Sequence, residues 1–197
     1  MPRTGPVTKD TTSVALGLAQ IRLGASGANV TSDNPVFTSS NSIGALANTK
    51  FTSTVEHWRL ESGFPMLEDM TVPLKESAKM ECAFKEITPQ NLAYARGIDA
   101  SSGYTSAHSG EIALGNIETP AYIRMEALYT YPDGDNQMIV IFPRAQAISS
   151  VEIDMKDADA AAVPVTFEAK RADSEVSGGS SVWDSKPLGR IMWRPTP

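Results

Sequence analysis

The 197-residue chain has one cysteine, Cys82, and two histidines, His57 and His108. A single thiol excludes an internal disulfide framework, and among alternating apolar residues it reads as a small buried hydrophobe rather than a redox centre. Three such side chains, widely separated, offer no spacing that closes a zinc site, so no metal is expected. No apolar run approaches the roughly 20 residues of a membrane span. Met1 to Asp10 is polar, carries two prolines and lacks the charged-then-apolar plan of a secretory leader, so a protein kept in a cytoplasm is expected. Aromatic residues are only 7%, and Trp58, Trp183 and Trp193 are too scattered to suggest a sugar-binding platform. Basic charge is also short: 17 Lys and Arg stand against 23 Asp and Glu, a net charge of −6. Such a chain does not grip nucleic acid by neutralising phosphates.

Catalytic chemistry is equally thin. Ser101, Ser102, Ser106 and Ser109 flank His108, but no G-x-S-x-G elbow is present and no acid is placed to orient the imidazole. A hydrolase working through His108 is therefore the weakest of the functional readings. Asp133-Gly134-Asp135-Asn136 lacks the acidic spacing and final glutamate of a calcium loop and reads as a hairpin turn. Gly24-Ala25-Ser26-Gly27 and Gly178-Gly179 match no phosphate-binding loop. No catalytic residue, cofactor or metal is assigned.

What the chain does have is β pattern. Val55 to Leu60 mixes β-branched and aromatic residues with charge, as a half-exposed strand does. From Glu61 to Ser77 runs a connection carrying Phe64, Pro65, Met66, Leu67, Met70, Val72 and Leu74, more bulky apolar residues than a solvated turn holds, so it needs a burial site. Met80, Cys82 and Phe84 then alternate with charged or small residues, the clearest strand of the chain. Thr88 is a good N-cap with Pro89 at the first helical position, Ile87 and Leu92 are spaced as a staple, and Gly97 suits the left-handed residue that closes a helix. Ala121 to Tyr131 and Met138 to Phe142 predict a hairpin. Val151 to Lys156 and Val163 to Lys170 predict two more strands, with short ones at Ala19 to Gly24 and Arg190 to Trp193. The expectation is a mainly β fold, a β-sandwich or half-barrel with one flanking helix and an extended loop or hairpin arm at 61–77, in one domain spanning 1–197, its sheet joining those of neighbouring copies into a continuous ring barrel on oligomerisation. Connections 24–50, 98–110 and 171–187 are long for a compact domain and should order against neighbours or remain loose. Arg124 with Glu126, Glu152 with Asp154, and Glu168 lie opposite the apolar residues of their strands, as a sheet with one wet face requires.

The order of strand, apolar connection, alternating strand, capped helix and hairpin, with Lys85-Glu86-Ile87-Thr88-Pro89-Gln90-Asn91-Leu92-Ala93-Tyr94-Ala95-Arg96-Gly97 at its centre, resembles the major tail tube proteins of long-tailed bacteriophages across residues 50 to 170. Tubes of contractile tails and of the type VI secretion system share that architecture. The resemblance implies hexameric rings that stack into a hollow tube, through which DNA passes without specific binding during ejection. It implies as partners other copies of the chain and further tail proteins such as the tape measure, the terminator and the baseplate or tip, with assembly in the host cytoplasm and a final place in the virion tail. On this reading Phe64, Pro65, Met66, Leu67, Met70, Val72 and Leu74 contact a neighbouring subunit, and Glu152, Asp154 and Glu168 are candidates to line the lumen. The alternative is a β-sandwich virion adhesin or carbohydrate-binding module.

Overall fold

The computed structural model describes residues 15, 17–64, 66–98, 104, 110–115, 119–155 and 160–196. Seven strands among them form one antiparallel sheet: β1 (Gln20–Ala25), β2 (Leu46–Ser62), β3 (Leu67–Phe84), β4 (Ile123–Thr130), β5 (Asn136–Ala147), β6 (Val163–Ala169) and β7 (Arg190–Pro195). The order across the sheet is β1-β4-β5-β6-β3-β2. β4 occupies one edge of β5; β7 pairs with β5 over residues 136–141 and β6 over 145–147, so these two follow one another along the other edge. At the junction β5 bulges between Phe142 and Ala145, where Pro143 costs no ladder bond.

The sheet curls until its ends meet. Just before β2, Ile43 N–H donates to the Ile21 carbonyl at 3.1 Å, and Ser42 bridges Arg22 of β1. Residues from opposite ends of the strand order, Ile21 and Leu23 of β1 and Met80, Cys82 and Phe84 of β3, therefore share one buried cluster with β4, β5 and β6. Cys82 lies within it, and burial pushes its thiol up to about 12, leaving it protonated and unreactive at neutral pH.

One helix, α1 (Pro89–Ala95), closes an end of this core with Ala93, Tyr94 and Ala95. Its signals were local and they hold. The Thr88 hydroxyl accepts from Asn91 N–H at 3.2 Å, with Pro89 at the first position. Gly97 adopts φ +75°, its N–H donates to Tyr94 O at 3.0 Å, and Ile98 N–H donates to Ala93 O at 2.8 Å. That pair of bonds is the Schellman arrangement.

Four expectations need correction. Glu61 to Ser77 is not a connection between strands: β2 runs on to Ser62 and β3 begins at Leu67, so the segment is the distal part of one long hairpin. Pro73 is accommodated opposite His57 at a bulge where Leu74 is the extra residue. Residues 151–155 alternate in sequence but form no strand; the edge of β5 they could have used is already taken by β6. The long segments 24–50 and 171–187 order against their own sheet, with short 3-10 turns at Gly27–Thr31, Ser39–Asn41 and Ser181–Trp183. Connection 98–110, with His108 and its serines, falls almost wholly outside the described residues, as does Met1 to Asp10.

The fourth correction concerns Arg124 and Glu126, which are fully buried rather than on a wet face. Segment 29–37 lies over them. Arg124 Nε donates to Glu126 Oε1 at 2.8 Å, and its two terminal nitrogens donate to the carbonyls of Asn29, Ser32 and Asn34 at 2.5–2.6 Å. The Glu126 carboxylate accepts from Val36 and Phe37 N–H at 2.9 and 3.2 Å. A turn with no ladder of its own thus has its backbone satisfied by two side chains of β4. Burial lowers the Arg124 pKa, and the charge and hydrogen bond of Glu126 oppose that shift. Beside this clamp a second apolar cluster covers the outer sheet face: Val30, Leu128, Ile139, Ile141 and Ala172 around Trp183, whose indole N–H donates to Val30 O at 2.6 Å.

Candidate functional site

β6 pairs with β3 only over residues 79–84, so beyond Ser53 and Ala78 the β2–β3 hairpin is two strands wide and leaves the body as an arm. From Ser53 to Ser62 it reaches about 30 Å at roughly 3.3 Å per residue. The chain turns at its tip through Gly63, whose φ of +86° a residue with a side chain would resist.

Among the described residues, eight of the nineteen exposed large apolar side chains sit on this arm: Val55, Trp58, Leu60, Phe64, Met66, Leu67, Met70 and Leu74. That concentration separates the arm from ordinary scattered surface residues. Phe64 at the tip is 102% exposed and Met66 72%. Halfway along, Trp58 lies opposite Val72 and Leu60 opposite Met70, so these four share one face. Charges flank them as cross-strand pairs, Arg59 with Glu68 at 3.4 Å and Lys75 with Glu56 at 4.0 Å. Such exposed pairs contribute little, roughly 0–1 kcal/mol each. An isolated two-stranded hairpin is marginally stable in water, so ordering this arm calls for a surface beyond the strands themselves.

Of the residues assigned to the arm from sequence, Phe64, Met66, Leu67, Met70 and Leu74 are exposed on it, Val72 is half-buried, and Pro65 lies outside the described residues. Sequence reasoning left out Trp58 and Leu60, which complete the apolar face. Their signal was present, since they precede the connection at the spacing of a strand. Thr88 and Gly97 cap α1 and sit away from the arm.

The candidate lumen residues are not gathered together. Glu152 and Asp154 are exposed in the irregular segment 151–155. Glu168 is half-buried on β6, where Lys170 bonds its carboxylate and Lys79 approaches to 3.9 Å. The Lys170 hydrogen bond is the main reason its pKa falls below the ordinary glutamate range. The three tryptophans occupy three settings: Trp58 on the arm, Trp183 buried under segment 27–31, Trp193 on β7.

Among the described residues no group of three His, Cys, Asp or Glu side chains is placed to hold a metal, and no helix is long and apolar enough to cross a membrane. Compared with known proteins, the chain matches no family model and no curated protein.

Proposed function

We propose that the chain is a structural subunit that assembles with copies of itself into rings and a hollow tube, of the kind found in phage tails. One observation carries the reading: a two-stranded hairpin arm projects about 30 Å from the body and exposes a dense set of large apolar side chains. The arm is not needed to close the body, because the ends of its own sheet already meet.

An arm docking elsewhere on the next copy can repeat head to tail, and such heterologous contacts generate closed rings or helical filaments. Each large side chain buried this way stabilises by about 1.5–3 kcal/mol before ordering costs are subtracted. Repetition around a ring makes modest contacts sufficient. The net charge of −6 suits a conduit, since DNA moves freely where few cations hold its phosphates. The virion tail is the proposed location, with assembly in the host cytoplasm and the other tail proteins as further partners.

The test is replacement of Phe64, Met66 and Leu67 with Ser. The expected product is a folded single copy, with wild-type circular dichroism and no rings or tubes in negative stain. Tubes formed by this variant, or its unfolding, would remove the arm from its proposed role.

A further inference from the structure

The inner face of the sheet is not fully covered at the base of the arm. Two hollows share Phe51 and Val140 and so form one groove. Its floor is the buried core, Met80, Val140 and Phe142; one wall is Phe51, whose ring lies 6.2 Å from that of Phe142, and the other is Ile191 of β7 in one hollow and Ala15, Gly17 and Ala19 in the other. Ile191 stands opposite Val140 and Trp193 opposite Met138, so both β7 side chains face inward, yet they remain 41% and 63% exposed.

We infer that this groove is the receptor for the arm tip of a second copy, taking Phe64, Met66 and Leu67 between Phe51 and Ile191. The inference rests on the assembly reading and names the site on the partner subunit. A copy's own tip cannot fill its own groove: Phe51 lies at the root of the arm and Phe64 thirteen residues further out, roughly 40 Å at about 3.3 Å per residue. The strand geometry holds the two apart. The quantity of apolar surface also matches. Six side chains of on the order of 200 Å² each, those of the tip and of the Trp58–Leu60–Met70 face, are exposed by 40–102% and so offer roughly 700 Å² per copy, close to the ~800 Å² per partner of a standard stable interface.

Photocrosslinking at position 191 and the single variant Ile191→Glu test this together, in the full-length chain. The expected result is that wild type assembles, Ile191→Glu stays a single folded copy by sedimentation, and a benzophenone side chain at 191 joins to a peptide containing 64–67. Mixing isotope-labelled with unlabelled protein shows that the join is between copies. Mixing the Ile191→Glu protein with the arm-tip Ser variant should give a one-to-one pair, since one supplies a tip and the other a groove. Assembly of Ile191→Glu, or a crosslink to any other segment, residues 1–14 included, overturns the groove as receptor and leaves tube assembly standing. A wild type that stays single overturns the assembly reading itself and this inference with it.

Discussion

At the residue scale, the sharpest feature is the Arg124–Glu126 clamp. Both groups are out of water, and each is satisfied by the other and by the backbone of segment 29–37. Removing one partner of a buried pair leaves an uncompensated charge, which costs about 3–5 kcal/mol. Glu126→Ala is therefore expected to lower stability by roughly that amount, read from urea unfolding, and to loosen Trp183, seen as a shift in its fluorescence. Nearby, Asp33 receives Lys186 Nζ at 2.6 Å and Arg190 at 3.0 Å, tying the same segment to the chain leading into β7. The Lys186 hydrogen bond is the main cause that depresses the Asp33 pKa, with Arg190 helping. A depressed carboxylate contributes stability that is fully present above its unfolded value, ~3.9, and is lost as pH falls through the lower folded value. The melting temperature should accordingly fall in this acid range for wild type and fall less steeply for Asp33→Asn.

At the element scale, α1 and the arm respond to different substitutions. Thr88→Ala removes the cap on Asn91 N–H and is expected to cost about 1 kcal/mol. Gly97→Ala places a Cβ at a φ of +75° and 2.9 Å from Pro120 Cβ. The conformation alone costs roughly 1–2 kcal/mol, so this variant should be the less stable of the two in chemical denaturation. The helix was legible because every one of its signals lies within ten residues of sequence. The hairpin was legible only in part. Residues 46–54, rich in Thr, Ser and Asn, show no alternation because both faces of the strand meet water, and the same holds for most of 67–77. A period of two announces a strand only when one face is buried. Val151, Ile153 and Met155 show the converse, an alternation in sequence that lies outside any strand. Arg124 and Glu126 looked like a wet face because what covers them comes from more than 85 residues away in the chain.

At the scale of the whole molecule, the body and the arm make opposite statements. The body closes its sheet and covers its outer face with segments 27–37 and 181–186 of the same chain, and on its inner face the groove at the base of the arm stays open. The arm leaves Trp58, Leu60, Phe64, Met66, Leu67 and Met70 in water. Because those contacts are apolar, their strength should survive high salt, whereas assembly held by the arm's exposed ion pairs would weaken as salt rises. Adding molar sodium chloride is thus expected to leave the assembled fraction unchanged or raised, as measured by sedimentation. The most direct test is electron microscopy of the purified wild-type protein across a concentration series. Rings of uniform diameter and tubes built from them are the predicted result. A monodisperse single copy at the highest concentration, its arm ordered without a neighbour, would contradict the account.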